Sequence, residues 1–225
     1  MPPPAARFRD RADAGKELAR ALTAYAGRGD VVVLALPRGG VPVAYEVARV
    51  LHAPLDVYGV RKLGVPGHEE LAMGAVAADG SSVRDEGVIE MCNISSEEFD
   101  EVRGREMREL LRREALYRPQ RPLPSVTDRV AIVVDDGLAT GATMRAAILA
   151  LRAQHPRRIV AAAPVAPAET VAELGRIADE VTITFVPSFF RAVGLHYDDF
   201  TQTSDDDVRR LLERAASDAR HSQPA

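Results

Sequence analysis

Two neighbouring carboxylates, Asp135 and Asp136, follow the apolar run Ala131-Ile132-Val133-Val134 and precede Gly137-Leu138-Ala139-Thr140-Gly141-Ala142-Thr143. An ionised carboxylate accepts hydrogen bonds and cannot donate them, so an acid pair suits a partner that must donate, such as the vicinal hydroxyls of a ribose. Thr140 to Thr143 suit a phosphate. Helical spacing begins there, with apolar residues at Met144, Ala147, Ile148 and Leu151. The amides of a first helical turn lack intrahelical partners and sit at the positive end of the helix dipole. The threonine hydroxyls add donors, and the small Gly141 and Ala142 let an anion approach the backbone. A surface turn with Thr140 as a helix cap would explain each part separately; the order of apolar run, acid pair and Thr-Gly-x-Thr points to a sugar phosphate. Neighbouring strand residues face opposite sides, so both acids can serve one sugar only if the strand ends or bends at the pair. The chain has no G-x-x-x-x-G-K-[ST] for a nucleoside triphosphate and no G-x-G-x-x-G for a dinucleotide.

Three further segments carry candidate chemistry. Leu36-Pro37-Arg38-Gly39-Gly40 follows an apolar run and opens a helical pattern; its glycines can turn successive amides toward an anion, and Arg38 brings charge. Val60-Arg61-Lys62-Leu63-Gly64-Val65-Pro66-Gly67-His68-Glu69-Glu70 sets two cations at a strand end before a Gly- and Pro-punctuated stretch with few apolar anchors, which predicts a mobile loop over Lys62 to Glu70. In Val186 to Tyr197 the rings of Phe189 and Phe190 could stack on a planar base or seal the core. The arginines from Arg103 to Arg121 alternate with glutamates and read as a solvated helix face rather than a nucleic-acid stripe.

The elements that must position these residues alternate along the chain. The pattern predicts a helix over Asp10 to Ala26, a strand over Val31 to Leu36, a helix over Val41 to Leu51 and a strand over Leu55 to Val60. It then predicts a hairpin of Leu71 to Ala77 with Ser82 to Glu90 about Asp79-Gly80, and a helix over Ser95 to Leu116 opened by a Ser95/Glu98 capping box. After the acid-pair strand and its helix come a strand over Ile159 to Ala163, a helix over Ala168 to Ile177, a strand over Glu180 to Phe185 and a last helix over Asp205 to Ala216. The fold class is α/β: a mainly parallel sheet with helices on both faces, a small hood and a flexible β-hairpin or loop. Residues 1–225 are expected to form one domain with its core at about 28–200, a Pro-rich connector at Arg118 to Pro124 and a disordered tail over 217–225.

A formal charge of −4 gives no footprint for nucleic acid or an anionic membrane. Cys92 is the only cysteine, so no internal disulfide can form, and no apolar run approaches a membrane span. A cytoplasmic protein is expected, and a homodimer stays open.

The run Asp135-Asp136-Gly137-Leu138-Ala139-Thr140-Gly141-Ala142-Thr143 resembles the phosphoribosyl-pyrophosphate (PRPP) motif of type I phosphoribosyltransferases, in the form seen in adenine phosphoribosyltransferases. Arg38-Gly39 and Arg61-Lys62-x-Gly64 resemble segments of the same enzymes. The resemblance implies a transferase of nucleotide metabolism that moves the 5-phosphoribosyl group of PRPP to a nitrogen acceptor of the nucleobase class, with release of pyrophosphate. The alternative is a regulatory protein that binds PRPP or a nucleotide without transfer. The resemblance also implies that Asp135 and Asp136 hold the ribose, that Ala139, Thr140, Gly141, Ala142 and Thr143 hold the 5′-phosphate, and that Arg38, Gly39 and Gly40 hold the pyrophosphate. Arg61 and Lys62 would then close over the leaving group, making them catalytic with the acid pair. Mg²⁺ is implied as cofactor, held by PRPP and water without a dedicated protein site. A cis Leu36-Pro37 bond is expected in the pyrophosphate loop. Hypoxanthine-guanine enzymes carry a basic aspartate where this chain has Ala139, so proton removal must be served otherwise; the adenine enzymes share the alanine.

Overall fold

The structure, a computed structural model, describes residues 7–117 and 124–221. In chain order it contains α1 (Arg11–Ala21), β1 (Val31–Ala35), α2 (Gly40–Leu51), β2 (Leu55–Val57), β3 (Val60–Val65), β4 (His68–Ala77), β5 (Ser82–Arg84), α3 (Glu86–Met91) and α4 (Ser96–Tyr117). There follow β6 (Val130–Val134), α5 (Ala142–Arg152), β7 (Arg158–Val165), α6 (Ala168–Leu174), β8 (Glu180–Phe185) and α7 (Asp205–His221). The main sheet has five parallel strands in the order β2-β1-β6-β7-β8.

Each central strand is apolar throughout because both of its faces are covered. Alternate residues divide between the faces. Val31, Val33, Ala35, Val130, Ile132 and Val134 pack with Leu18 of α1, Val47 of α2 and Val208 of α7. Val32, Leu34, Ala131 and Val133 pack with Met144, Ile148 and Leu151 of α5. The expected fold class is what the chain adopts.

Several boundaries differ for local reasons. The strand expected over Leu55 to Val60 is divided: β2 joins the main sheet, and the chain breaks at Tyr58-Gly59 to start a separate antiparallel sheet, β3-β4-β5. The expected mobile loop over Lys62 to Glu70 is instead most of a paired hairpin. Leu63 and Val65, the anchors that the Gly and Pro residues obscured, are buried against Met73, Val76 and Phe99. The strand expected over Ser82 to Glu90 stops at Arg84, because Asp85 caps α3 by accepting from Val88 N at 3.1 Å. The capping box before α4 is present: Ser95 Oγ accepts from Glu98 N at 3.2 Å and Glu98 accepts from Ser95 N at 2.9 Å. Helix α1 ends at Ala21 and is followed by a 3-10 turn over Thr23–Tyr25, while α6 ends at Leu174. Helix α7 continues to His221, so residues 217–221 are helical rather than a disordered tail, and 222–225 lie outside the described residues. The expected connector, apart from Pro124, also lies outside them.

The fold rests on the two-sided burial of β6. Ile132 is fully buried in its middle, so Ile132→Ala should cost about 2–5 kcal/mol of stability, measured by urea denaturation.

Candidate active site

All five strands of the main sheet are parallel, so the loops after β1, β6, β7 and β8 emerge at one edge, where α/β folds bind ligands. Strands β1 and β6 are neighbours with Ala35 opposite Val134. The Arg38-Gly39-Gly40 loop therefore lies directly against the acid pair. A Cβ built on Gly39 would stand 2.0 Å from Asp136 Oδ2, and one on Gly40 would stand 2.6 Å from the Val134 carbonyl oxygen. Backbone blocks a side chain at Gly40, and one at Gly39 would have to displace the Asp136 carboxylate. The cis peptide in this loop is Pro37-Arg38 and not Leu36-Pro37.

Strand β6 ends at Val134, before both acids, which removes the constraint that strand neighbours face apart. Asp135 N donates to the Ala162 carbonyl at 3.2 Å, and Asp136 N donates to Asp135 Oδ1 at 2.9 Å. Asp136 Oδ2 accepts from Arg11 Nε at 2.7 Å, with the two side chains only 14% and 11% exposed. The Tyr197 hydroxyl donates to the Asp136 backbone carbonyl. Burial, and then the adjacent Asp136 charge, hold the Asp135 carboxyl well above the usual carboxylate range, with Arg11 opposing them.

The segment Ala139 to Gly141 leads into α5 where the helical spacing begins. Gly141 takes φ +68°, and its αL conformation lets the chain enter α5 without a β-carbon in the way. Thr170 Oγ1 donates to the Ala139 carbonyl at 2.6 Å and pins the loop from outside. Ala139, Thr140, Ala142 and Thr143 are exposed, and the first-turn amides of α5 open at the crevice.

The cations divide. A cavity of about 70 Å³ brings together Arg38, Arg61, Thr143, Arg113 and Tyr117. Lys62 does not line it: it is the next residue on β3, and strand neighbours point apart. Arg61 and Lys62 thus leave β3 on opposite faces, and the segment expected as a mobile loop is paired as β3 and β4. Arg61 Nε donates to Glu106 of α4 at 2.5 Å. Burial alone would lift the Glu106 carboxyl, but the hydrogen bonds from Arg61 and Arg105 hold it below its ordinary range. At the rim, Arg38 stands 3.8 Å from Asp205 of α7, which accepts from the Tyr117 hydroxyl at 2.6 Å. Burial and that carboxylate push the Tyr117 phenol up to about 12.

The hood follows β8. Phe190 stacks on His196 with ring centroids 5.6 Å apart and packs on the cluster of Phe8, Val165 and Tyr197, so it belongs to the core. Phe189 is 71% exposed, with the Arg191 guanidinium 5.2 Å from its ring centroid. His196 is buried with no partner for Nε2, and burial lowers its pKa, which keeps the imidazole neutral. Sequence reasoning missed Arg11, Tyr197 as an anchor of the acid loop, and Glu106. Arg11 lies 125 positions from Asp136, and no spacing rule connects them.

The phosphoribosyl transferase domain family matches residues 7–199. The chain belongs to that family. Two Mycobacterium tuberculosis proteins, from strains CDC 1551 and H37Rv and provisionally named phosphoribosyl transferases, are each 47% identical over 211 residues, covering 94% of this chain and 47% of theirs. The chain spans about half the length of these curated relatives. The solved structure of TT1426 from Thermus thermophilus superposes with a TM-score of 0.84 at 43% identity, covering 92% of this chain and 98% of that one.

The state of Asp135 makes the site testable without ligand. Its carboxyl pKa is raised on folding, so ionising it above the unfolded value of about 4 weakens the folded state as pH rises. Asp135→Asn should raise the thermal midpoint at pH 7, with the gain shrinking as pH falls toward about 4, followed by calorimetry across that range.

Proposed function

We propose that the chain transfers the 5-phosphoribosyl group of PRPP to a nitrogen acceptor of the nucleobase class, releasing pyrophosphate. The observation that carries this reading is the packing of Gly39 against Asp136, too close for any β-carbon. It sets the Arg38-Gly39-Gly40 loop directly against the acid pair, at the sheet edge where α5 also begins. In this reading Asp135 and Asp136 accept from the ribose hydroxyls. A carboxylate offers about four acceptor positions, and the contact with Arg11 takes one of those on Asp136. Ala139, Thr140, Gly141, Ala142 and Thr143 receive the 5′-phosphate. Arg38, Gly39, Gly40 and Arg61 face the pyrophosphate.

The acceptor nitrogen bonds to the anomeric carbon as the bond from that carbon to the pyrophosphate oxygen breaks; the electron pair leaves with the oxygen, and the proton of the acceptor nitrogen passes to solvent. The ribosyl group passes through a cationic state, so positioning and charge neutralisation serve it better than a covalent nucleophile. Arg38 and Arg61 meet the charge that builds on the leaving group. The exposed ring of Phe189 supports a planar acceptor, since a stacked ring adds roughly 0.5–1.5 kcal/mol beyond its buried area.

Among the described residues no cluster of three His, Cys, Asp or Glu side chains could hold a metal. In this reading Mg²⁺ would be held by substrate oxygens and water. When bound, Mg²⁺ would supply charge screening between the pyrophosphate and ribose oxygens. Among the described residues no helix is long and apolar enough to cross a membrane.

Titration calorimetry with PRPP and Mg²⁺ tests the donor. Replacing Asp135 and Asp136 by alanine removes partners worth about 1–3 kcal/mol each, so the double variant should bind at least tenfold more weakly while its circular dichroism is retained. Unchanged affinity would end the assignment. A screen of nucleobases and small amines for PRPP-dependent pyrophosphate release tests transfer, and binding without release with any acceptor would favour the regulatory reading.

A further inference from the structure

Arg11 lies outside every segment that reads as substrate-binding, yet its side chain meets the centre of the site. Its guanidinium makes three contacts at once. Nε donates to Asp136 Oδ2 at 2.7 Å, Nη1 donates to the Thr201 carbonyl at 2.7 Å, and the plane lies over the Phe200 ring with its carbon 3.9 Å from the centroid. Phe200 in turn packs on Tyr197, whose hydroxyl holds the Asp136 carbonyl. Asp136 is thus gripped at its carboxylate by α1 and at its backbone by the hood.

The position is costly for α1 itself. Arg11 is the first residue of the helix, after the cap Asp10, and a cation there opposes the helix dipole. The chain also places it carefully. Phe8 N donates to the His196 carbonyl, Asp198 N to the Phe8 carbonyl and Asp199 N to the Arg9 carbonyl, so residues 7–9 run along the hood and deliver Arg11 behind Asp136. Two adjacent carboxylates repel each other and would repel a pyrophosphorylated sugar. A buried guanidinium behind one of them offsets both repulsions.

We infer that Arg11 is a positioning residue for the proposed transfer: it orients Asp136 toward the ribose hydroxyls, neutralises one charge of the acid pair and ties that pair to the hood. The inference rests on the PRPP reading above. The charged and titratable groups that face Asp135 are Asp136 on its own loop, Arg11 from α1 and Tyr197 from the hood, and Arg11 is the cation among them. Its removal leaves Asp135 easier to protonate.

The experiment is PRPP binding with Mg²⁺ across pH for the wild-type chain, Arg11→Met and Arg11→Lys. The methionine variant should bind PRPP about ten- to hundredfold more weakly, and its binding should fall off at a pH about one unit higher. The lysine variant should recover the wild-type pH dependence and most of the affinity. If the methionine variant loses its circular dichroism, Arg11→Gln, which keeps hydrogen-bonding groups at Asp136 and Thr201 without the charge, should show the shift in pH dependence alone. A folded methionine or glutamine variant with the wild-type affinity and pH profile would overturn the role of Arg11 and leave the PRPP reading standing. A wild-type chain that binds no PRPP would overturn both.

Discussion

The candidate site depends on one adjacency, β1 beside β6 in parallel with Ala35 opposite Val134. That register brings the Arg38-Gly39-Gly40 loop and the Asp135-Asp136 loop out of the sheet side by side, although they are far apart in sequence. It also explains why glycines stand at 39 and 40. Gly39 sits in ordinary right-handed helical backbone, φ −59°, so it is not there for a conformation that other residues refuse. It is there because Asp136 occupies the space of its side chain. A slip of one residue would turn every strand side chain to the opposite face and dismantle both helix layers together.

Charge is organised around that contact. Asp135 is held against ionisation by burial and by Asp136, while Arg11 counters both. Arg61 rests on Glu106, and Arg38 stands near Asp205. The arginines that the site would use are therefore already in contact with partners of opposite sign. Unpaired buried charge would be far more costly than these contacts, and a polyanionic substrate that meets the cations exchanges one partner for another instead of ordering free side chains.

Much of this was legible in the sequence. The apolar runs over Val31 to Leu36 and Ala131 to Val134 announced buried parallel strands, and the loops after them carried glycine, carboxylate and threonine in an order that ordinary turns do not require. What was hidden depended on pairing across distance. Gly64, Pro66 and Gly67 read locally as a loop, yet the antiparallel partner strand and the burial of Leu63 and Val65 make a hairpin. Adjacent Arg61 and Lys62 read as one cationic unit, yet a strand separates neighbours to opposite faces. The aromatic cluster after β8 held two alternatives, stacking face and core; Phe190 packs on the core, while Phe189 is exposed. Arg11 left no trace in spacing, because its role comes from a tertiary contact alone.

The two layers that cover the sheet contribute different halves of the crevice. The α1, α2 and α7 side brings Arg11 behind the acid pair and Asp205 to the rim. The α5 side brings the helix amides and Thr143, and the β3 strand that joins the core at Val60 brings Arg61. The acid loop lies between them, anchored from both: Thr170 of α6 holds the Ala139 carbonyl, and Tyr197 holds the carbonyl of Asp136. Two-sided burial is usually regarded as a matter of stability. Here it also brings cations to the same sheet edge from both faces, Arg11 from α1 and Arg61 on β3, each already paired with a carboxylate.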